Sequence, residues 1–208
     1  MSIPDRPDGF WDTRYGGTDD YVFGTAPAAP LQRIRDHLPA SGRALAIADG
    51  EGRNSVWLAE QGFDVTAFDA SPVGLAKARG LAEQRGVTID FHAAEIGAWD
   101  WDAPGYDLVA GIFFQFLSPI ARAETFAGLK RALAPGGTLY ILGYRPEQVG
   151  RGTGGPPDVE NMYTEDLLRE AFGVLDILRL ESWDEDLDEG TGHKGSSALI
   201  ELLARKAT

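Results

Sequence analysis

One stretch constrains the fold more than any other, because an apolar run in it breaks at a glycine turn and then continues with helical spacing. The stretch reads LAIADGEGRNSVWLAEQG and covers residues 45–62. A strand, a glycine-rich turn and a helix in this order open many parallel sheets, and a ligand commonly lies at the turn. We therefore expect a strand at 43–48, a helix at 54–62 and a binding site between them.

Strand-like and helix-like segments continue to alternate along the rest of the chain. Ser71-Pro72 and Ser118-Pro119 supply an N-cap and a first-turn proline for two further helices. The remaining predicted elements are strands at 64–69, 87–95, 106–114, 138–144 and 174–183, a short helix from Thr164, a polar loop at 184–195 and a closing strand at 196–206. This alternation predicts an α/β fold with a mostly parallel sheet covered by helices, a Rossmann-like three-layer sandwich.

Two segments show no regular period. Residues 10–32 are rich in aromatic side chains and have no strand or helix period until about Ala28, so they form either a hydrophobic plug over a sheet edge or a substrate lid. Residues 145–163 are polar and rich in glycine and proline, and long irregular loops in compact domains are often functional. We expect one domain over 1–208, with 1–30 as a lid segment and 31–208 as a cofactor-binding core.

The charge and the composition restrict the partners. The net charge of −13 opposes binding to nucleic acid and to anionic membranes, and the sequence contains no cysteine for a disulfide, a thiolate metal site or a thiol nucleophile. No apolar run reaches membrane-spanning length. We expect a cytoplasmic protein, a monomer or a weak homo-oligomer, that acts on a small molecule and uses no metal.

The residues of the glycine turn favour a cationic ligand over a phosphate. Ser55 stands where the dinucleotide fingerprint has its third glycine, and Asp49 and Glu51 flank Gly50 with negative charge. A nicotinamide dinucleotide is therefore the less favoured ligand. S-adenosylmethionine fits better, because Asp69 at the end of the second strand would accept hydrogen bonds from both ribose hydroxyls. Glu95, which ends the third strand, would accept one from the adenine amino group.

Several motifs resemble those of a known family. GEGRNSVWLAEQGFDVTAFDAS, YDLVAGIFFQFLSP, LKRALAPGGTLYILGY, EGTGHKGSSALIELLARK and FWDTRYGGTDDYVFGTAP together cover nearly the whole chain. They are similar to class I S-adenosylmethionine-dependent methyltransferases, particularly the tellurite-resistance (TehB-like) group and, more distantly, the thiopurine methyltransferases. The resemblance implies a seven-stranded sheet with six parallel strands and an antiparallel last strand.

The resemblance, together with the reasoning from the turn, assigns a set of cofactor-binding residues. They are Ala48, Asp49, Gly50, Gly52, Asn54, Asp69, Ala70, Ser71, Glu95, Ile96 and Ile112. The chain departs from the family pattern in its first strand, since Ala46 replaces an acidic residue and Ala48 replaces the first glycine. We hypothesise that Asp49 supplies the missing carboxylate; otherwise cofactor binding would be weakened.

Other residues at the same edge of the sheet are candidates for substrate binding and catalysis. Those expected to line the acceptor site are Trp11, Arg14, Tyr15, Tyr21, Phe23, Phe114 and Gln115. His193, Arg145 and Tyr144 are the catalytic candidates, with Arg145 able to fix an anionic substrate or the methionyl carboxylate. His193 is either a general base or an exposed loop histidine, and the sequence leaves both open.

Three functions remain after the sequence has been considered. The first is methyl transfer to a thiol or to a chalcogen or metalloid oxyanion, since a soft anionic nucleophile needs no base. The second is O- or N-methylation of a metabolite, which would need His193 or a tyrosine as base. The third is a non-catalytic S-adenosylmethionine-binding protein, which the alanines at 46 and 48 motivate.

Overall fold

The computed structural model describes residues 9–103 and 105–208, and within them it contains one seven-stranded sheet. The strands are β1 (Gly42–Ile47), β2 (Phe63–Asp69), β3 (Asp90–Ala93), β4 (Tyr106–Ile112), β5 (Leu133–Tyr144), β6 (Asp176–Glu189) and β7 (His193–Arg205). Their order across the sheet is β3-β2-β1-β4-β5-β7-β6, and β7 runs antiparallel to both of its neighbours. The predicted arrangement of six parallel strands and one antiparallel strand is confirmed.

Helices cover the sheet, and two of them begin at the predicted capping residues Ser71 and Ser118, while a third begins after Thr164 as expected. The helices are α1 (Phe10–Gly16), α2 (Ala29–Arg33), α3 (Arg53–Glu60), α4 (Pro72–Arg85), α5 (Pro119–Ala132) and α6 (Glu165–Phe172). The side chains of Ser71, Ser118 and Thr164 accept hydrogen bonds from the backbone three residues on. Each cap satisfies one of the free amides at a helix start and so fixes where the helix begins.

Apolar side chains pack on both faces of the sheet. Leu45, Val109 and Ile141 belong to one fully buried cluster, whereas Ala44, Leu108 and Leu142 belong to another. The sequence neighbours Leu108 and Val109 therefore lie on opposite faces of β4, as the pleat of a strand requires. A strand that is buried on both faces explains the almost continuous apolar run of residues 106–112.

The structure differs from the prediction in three segments. Residues 184–195 were expected to be a loop, but β6 extends to Glu189 and β7 begins at His193, which leaves a tight hairpin between them. The alternation of apolar and polar residues that is typical of a strand is absent here, because glutamates lie on the more buried face of β6 together with Leu187. The third strand is shorter than the predicted 87–95, and α1 forms inside the aromatic segment, where no period was visible.

No helix among the described residues is long and apolar enough to cross a membrane.

Candidate functional site

A cavity of about 420 Å³ opens at the carboxyl ends of the central parallel strands. Its floor contains the glycine turn after β1 and the ends of β2, β4 and β5. Residues of α1, residues 23–24 and residues 154–158 close it from above. Ligands of open α/β sheets bind at this edge, where β1 and β4 lead to opposite sides of the sheet.

Asp69 is fixed at the end of β2 by two backbone amides. Its carboxylate accepts hydrogen bonds from Gly50 N at 2.8 Å and from Ser71 N at 2.8 Å, one on each oxygen. Burial raises the pKa of this carboxyl group, and the two amide hydrogen bonds oppose that rise. Each oxygen keeps a second lone pair, so a carboxylate held in this way can still accept from a pair of ligand hydroxyls.

The backbone of the glycine turn is left-handed at three alternate positions. Ala48 has φ +48°, Gly50 has φ +60° and Gly52 has φ +88°. Alanine is strained in this region and glycine is not, so Ala48 occupies a position whose geometry favours glycine. The missing Cβ of Gly52 makes room for Ala78 of α4, so Gly52 packs two helices together and does not line the cavity.

The two acids of the turn are both engaged within the protein. Asp49 accepts from the backbone N and the hydroxyl of Ser55 at the start of α3, and burial raises the pKa of its carboxyl group to about 7. Glu51 pairs with the Lys77 ammonium at 3.0 Å and accepts from Val22 N at 2.8 Å. Glu51 therefore contributes little free charge to a ligand and instead holds the N-terminal segment, which we define as residues 9–28.

Aromatic side chains of the N-terminal segment form the roof of the cavity. Trp11 stacks on Tyr15 with ring centroids 5.4 Å apart, and Tyr15 is buried above the glycine turn. The guanidinium of Arg14 lies 5.4 Å from the centroid of the Phe23 ring. A roof of this composition limits the access of water to the floor.

His193 lies inside the cavity and not in an exposed loop. It is only 6% exposed, and its ring contacts those of Phe23 and Phe113, with centroids 4.5 Å and 4.4 Å away. Its Nδ1 is 3.5 Å from a carboxylate oxygen of Glu189, which is also 2.9 Å from Arg53. Burial lowers the pKa of His193 and outweighs the opposing effect of Glu189, so the imidazole is neutral near pH 7.

Tyr144 lies beside this histidine with its hydroxyl turned away from any protein partner. The Tyr144 Oη is buried without a hydrogen bond among the described residues, and burial raises its pKa well above the ordinary value. The Gln115 side chain donates to the Tyr144 carbonyl at 2.7 Å and accepts from its amide at 2.5 Å. Gln115 therefore fixes the backbone of Tyr144, although it also lines the cavity.

The structure brings most of the predicted site residues together around the cavity. Those that line it are Trp11, Arg14, Tyr15, Phe23, Ala48, Asp49, Gly50, Asn54, Asp69, Ala70, Glu95, Ile96, Ile112, Gln115, Tyr144 and His193. Their roles toward a ligand remain predictions, because proximity to a cavity does not test them.

Five predicted site residues lie outside the lining: Tyr21, Gly52, Ser71, Phe114 and Arg145. Tyr21 donates its hydroxyl to the Lys77 carbonyl, and Phe114 is fully buried in the core. Ser71 caps α4, whereas Arg145 pairs with Asp184 on β6. Arg145 was expected at the binding edge because it follows the fifth strand, but its side chain pairs with the carboxylate of Asp184 and does not line the cavity.

Sequence reasoning missed other lining residues, chiefly Phe10, Arg53, Phe116, Asn161, Gly192 and residues 154–158. The glycine- and proline-rich composition of 145–163 was a signal for the last of these. No group of three or more His, Asp or Glu side chains that could hold a metal ion occurs among the described residues.

The charges of the cavity fit S-adenosylmethionine. The carboxylates of Asp69 and Glu95 face it, and Arg53 is already paired with Glu189. Fixed carboxylates suit the hydroxyls, the amino groups and the sulfonium of this cofactor, and they oppose a pyrophosphate. Asp69, Glu95 and the glycine turn are the residues that would hold it.

The profile of a methyltransferase domain family matches residues 44–137. Two curated proteins are similar in sequence. A 2-heptyl-1-hydroxyquinolin-4(1H)-one methyltransferase of Mycobacteroides abscessus is 24% identical over 73% of this chain and 67% of its own length. A demethylmenaquinone methyltransferase of Thermus thermophilus is 34% identical over 52% of this chain and 50% of its own length. The chain thus spans about two thirds and one half of these relatives.

Two solved structures have a similar fold. One, described as "Conversion of a Disulfide Bond into a Thioacetal Group during Echinomycin Biosynthesis", superposes with a TM-score of 0.78 at 19% identity and covers 96% of this chain and 91% of its own. TehB from Haemophilus influenzae superposes with a TM-score of 0.72 at 20% identity and covers 96% of this chain and 66% of its own. The chain is thus similar over residues 44–137 to a methyltransferase domain, and its fold is that of S-adenosylmethionine-dependent methyltransferases such as TehB.

Proposed function

We propose that this protein transfers the methyl group of S-adenosylmethionine to a thiol or an acidic hydroxyl of a small molecule, and that His193 removes the proton of the acceptor. The observation that carries the proposal is the imidazole of His193, buried in the cavity with a carboxylate oxygen of Glu189 3.5 Å from its Nδ1. His193 lines the cavity, so the nitrogen on the other side of its ring, Nε2, is the one proposed to accept a proton from the acceptor.

When bound, S-adenosylmethionine supplies an electrophilic methyl carbon, and its carbon–sulfur bond breaks with the electron pair left on sulfur. A lone pair of the acceptor forms the new bond to that carbon, and His193 takes the proton that the acceptor loses. The remaining requirements are alignment and exclusion of water, which the aromatic roof provides.

The depressed pKa of His193 restricts the acceptor. A weakly basic imidazole removes protons efficiently only from groups that are themselves fairly acidic, such as thiols and phenol-like hydroxyls. One relative is named for the methylation of a 1-hydroxyquinolin-4-one, and an acceptor of that kind agrees with this restriction.

A chalcogen or metalloid oxyanion is the less favoured acceptor. It needs no base, and the floor of the cavity carries carboxylates that repel an anion. Selenite and tellurite are therefore included among the acceptors to be tested. Their methylation without any need for His193 would refute the proposed role of that residue.

The cofactor site is tested first, by calorimetric titration with S-adenosylmethionine and S-adenosylhomocysteine and with NAD as the negative ligand. Asp69→Ala should lose binding by 10-fold or more, since it removes the fixed acceptor at the end of β2. Asp64→Ala is the matched control, because Asp64 is an exposed residue of the same strand. Equal affinity of the two variants would show that Asp69 does not bind the cofactor.

The base is tested by following S-adenosylhomocysteine formation with a panel of thiols, phenols, selenite and tellurite. His193→Gln should lower turnover by about 100-fold while cofactor affinity is unchanged. His92→Gln, a change on the exposed edge of β3, should leave turnover unaffected. Full activity of His193→Gln toward every acceptor that is methylated would exclude a general base at this position.

A further inference from the structure

We propose that Glu189 and Arg53 act as positioning residues that hold His193 with Nδ1–H toward Glu189 and the lone pair of Nε2 toward the cavity. The inference rests on the proposed function of His193 and extends it to two residues that the mechanism above does not use. The observations are the contacts of Glu189 with Arg53 and His193, its burial, and the links of Arg53 and Glu189 to the N-terminal segment and the start of α2.

The three side chains are buried and lie in contact across three elements, with Glu189 between the other two. Arg53 comes from α3, Glu189 from the end of β6 and His193 from the start of β7. Arg53 Nη1 and His193 Nδ1 lie 2.9 Å and 3.5 Å from the same carboxylate oxygen of Glu189. The exposed fractions of these side chains are 7% for Arg53, 10% for Glu189 and 8% for His193, so little water competes for the contacts.

A carboxylate behind one nitrogen of a neutral imidazole selects its tautomer, because only Nδ1–H can donate to it. Nε2 is then the acceptor nitrogen. Burial would raise the pKa of Glu189, but the nearby His193 Nδ1 and the charge of Arg53 outweigh it and lower the pKa to about 2. Glu189 is therefore ionised throughout the pH range in which a histidine titrates.

Arg53 has the opposite effect on the histidine. Its charge disfavours the imidazolium form, as does that of Arg14 from the roof, whereas Glu189 favours that form. Tyr144 also packs against the ring, and it stays neutral because burial raises its pKa. The two positioning residues thus set the basicity of His193 in opposite directions.

The same pair also binds the N-terminal segment and the start of α2 that follows it. Arg53 donates to the Phe23 carbonyl of the segment at 3.3 Å, and Glu189 accepts from Ala29 N, at the start of α2, at 3.2 Å. Gly192 N, in the turn just before His193, donates to the Val22 carbonyl at 2.9 Å. The ring of Phe23 packs against the imidazole. The contacts that hold the segment in place therefore also exclude water from the contact between Glu189 and His193.

The test is ¹⁵N NMR of the histidine side chains, which needs no methyl acceptor. The sequence has only three histidines, so each can be assigned by substitution. In the wild-type protein the neutral form of His193 should be the Nδ1–H tautomer. Detection of the Nε2–H tautomer would overturn the proposal even if methyl transfer and its dependence on His193 had been established.

Substitution of the two positioning residues should move the titration of His193 in opposite directions. Glu189→Gln should lower its pKa by about one pH unit, and Arg53→Met should raise it by a similar amount. Shifts in the same direction, or no shift, would contradict the proposal, since loss of structure alone does not give opposite signs. If Glu189→Gln does not fold, the required rise in Arg53→Met decides the question alone.

Catalysis gives the second readout once an acceptor is known. The acid limb of the pH profile of kcat/KM should follow the NMR titration in each variant, with the affinity for S-adenosylhomocysteine unchanged. An acid limb that stays fixed while the NMR titration moves would show that Glu189 and Arg53 position His193 without affecting the reaction, which would refute the catalytic part of the inference.

Discussion

The contact between Glu51 and the N-terminal segment gives the sharpest prediction. Glu51 is buried, with one carboxylate oxygen 3.0 Å from Lys77 Nζ and the other 2.8 Å from Val22 N and 3.4 Å from Phe23 N. The change Glu51→Gln keeps the size of the side chain and removes its charge. We expect the segment to open much more often in this variant.

The magnitude follows from the contacts that are lost. Replacing a charged acceptor by a neutral one on the Val22 amide costs about 1 kcal/mol. Breaking a fully buried ion pair costs about 3–5 kcal/mol. Lys77 keeps its bonds to the carbonyls of Thr18 and Asp20 at 2.9 Å and 2.7 Å, so we expect only about 1–2 kcal/mol from this term.

The sum of about 2–3 kcal/mol corresponds to roughly 30- to 150-fold faster opening of the segment. Hydrogen exchange of the Val22 amide measures this opening directly, because that amide donates to Glu51. The melting temperature should also fall, by up to about 10 °C. Glu60→Gln is the matched control, since its 3.4 Å contact with Arg85 is exposed to solvent and should contribute less than about 0.5 kcal/mol.

Exchange of the Val22 amide that is accelerated less than about threefold in Glu51→Gln would refute this reasoning. It would mean that the aromatic contacts of the roof hold the segment in place without the carboxylate. An equal effect in Glu60→Gln would show that the loss of any acidic residue near α3 has the same consequence.

Three further predictions concern the cavity. Burial raises the pKa of Asp49 from 3.8 to about 7, so the folded protein binds a proton that the unfolded chain releases, and stability falls as pH rises between these values. Urea unfolding should therefore show that the free energy of unfolding of Asp49→Asn, relative to that of wild type, is about 2 kcal/mol higher at pH 8 than at pH 5. The same pH dependence in both proteins would contradict this. Gly154→Ala places a Cβ 2.8 Å from the Tyr144 hydroxyl and should lower turnover at least 10-fold, with the affinity for S-adenosylhomocysteine unchanged. Gly150→Ala is the control, because the space around Gly150 is open, and it should not lower turnover. Similar turnover in the two variants would refute the steric argument. Ala48→Gly relieves a left-handed alanine and should stabilise the protein by about 0.5–1 kcal/mol in urea unfolding, and a loss of stability would show that its methyl packing outweighs the strain.

The sheet and its helix starts could be predicted from sequence because their determinants are local. Ser71 and Pro72 begin α4 through contacts within one turn of helix, and Asp69 lies at the binding edge because it ends a parallel strand. The hairpin of β6 and β7 could not be predicted in the same way. Its Glu185 and Glu189 are inward-facing, and they are accommodated by arginines at 33 and 53, far away in the sequence.

The helix α1 was missed for a related reason. Its residues show no apolar stripe of helical period, and its position depends on contacts that lie far along the chain. Asp12 accepts from the Ser71 hydroxyl and Trp11 packs near Phe116, and neither partner is visible from the local sequence. Propensity is a weak guide to a short helix that tertiary packing stabilises.

The acidic glycine turn shows how a correct ligand can follow from an incomplete electrostatic argument. Asp49 and Glu51 were expected to present negative charge to a ligand at the turn, but Glu51 is paired with Lys77 and holds the N-terminal segment. Asp49 is occupied by Ser55 at the start of α3, and its pKa of about 7 leaves it partly protonated. The charge that faces a cofactor therefore comes mainly from Asp69, at the end of β2, and from Glu95, two residues after β3. If Asp49 replaces the acid missing at position 46, it does so as a polar group shared with a helix, and Asp49→Asn should then cost little cofactor affinity.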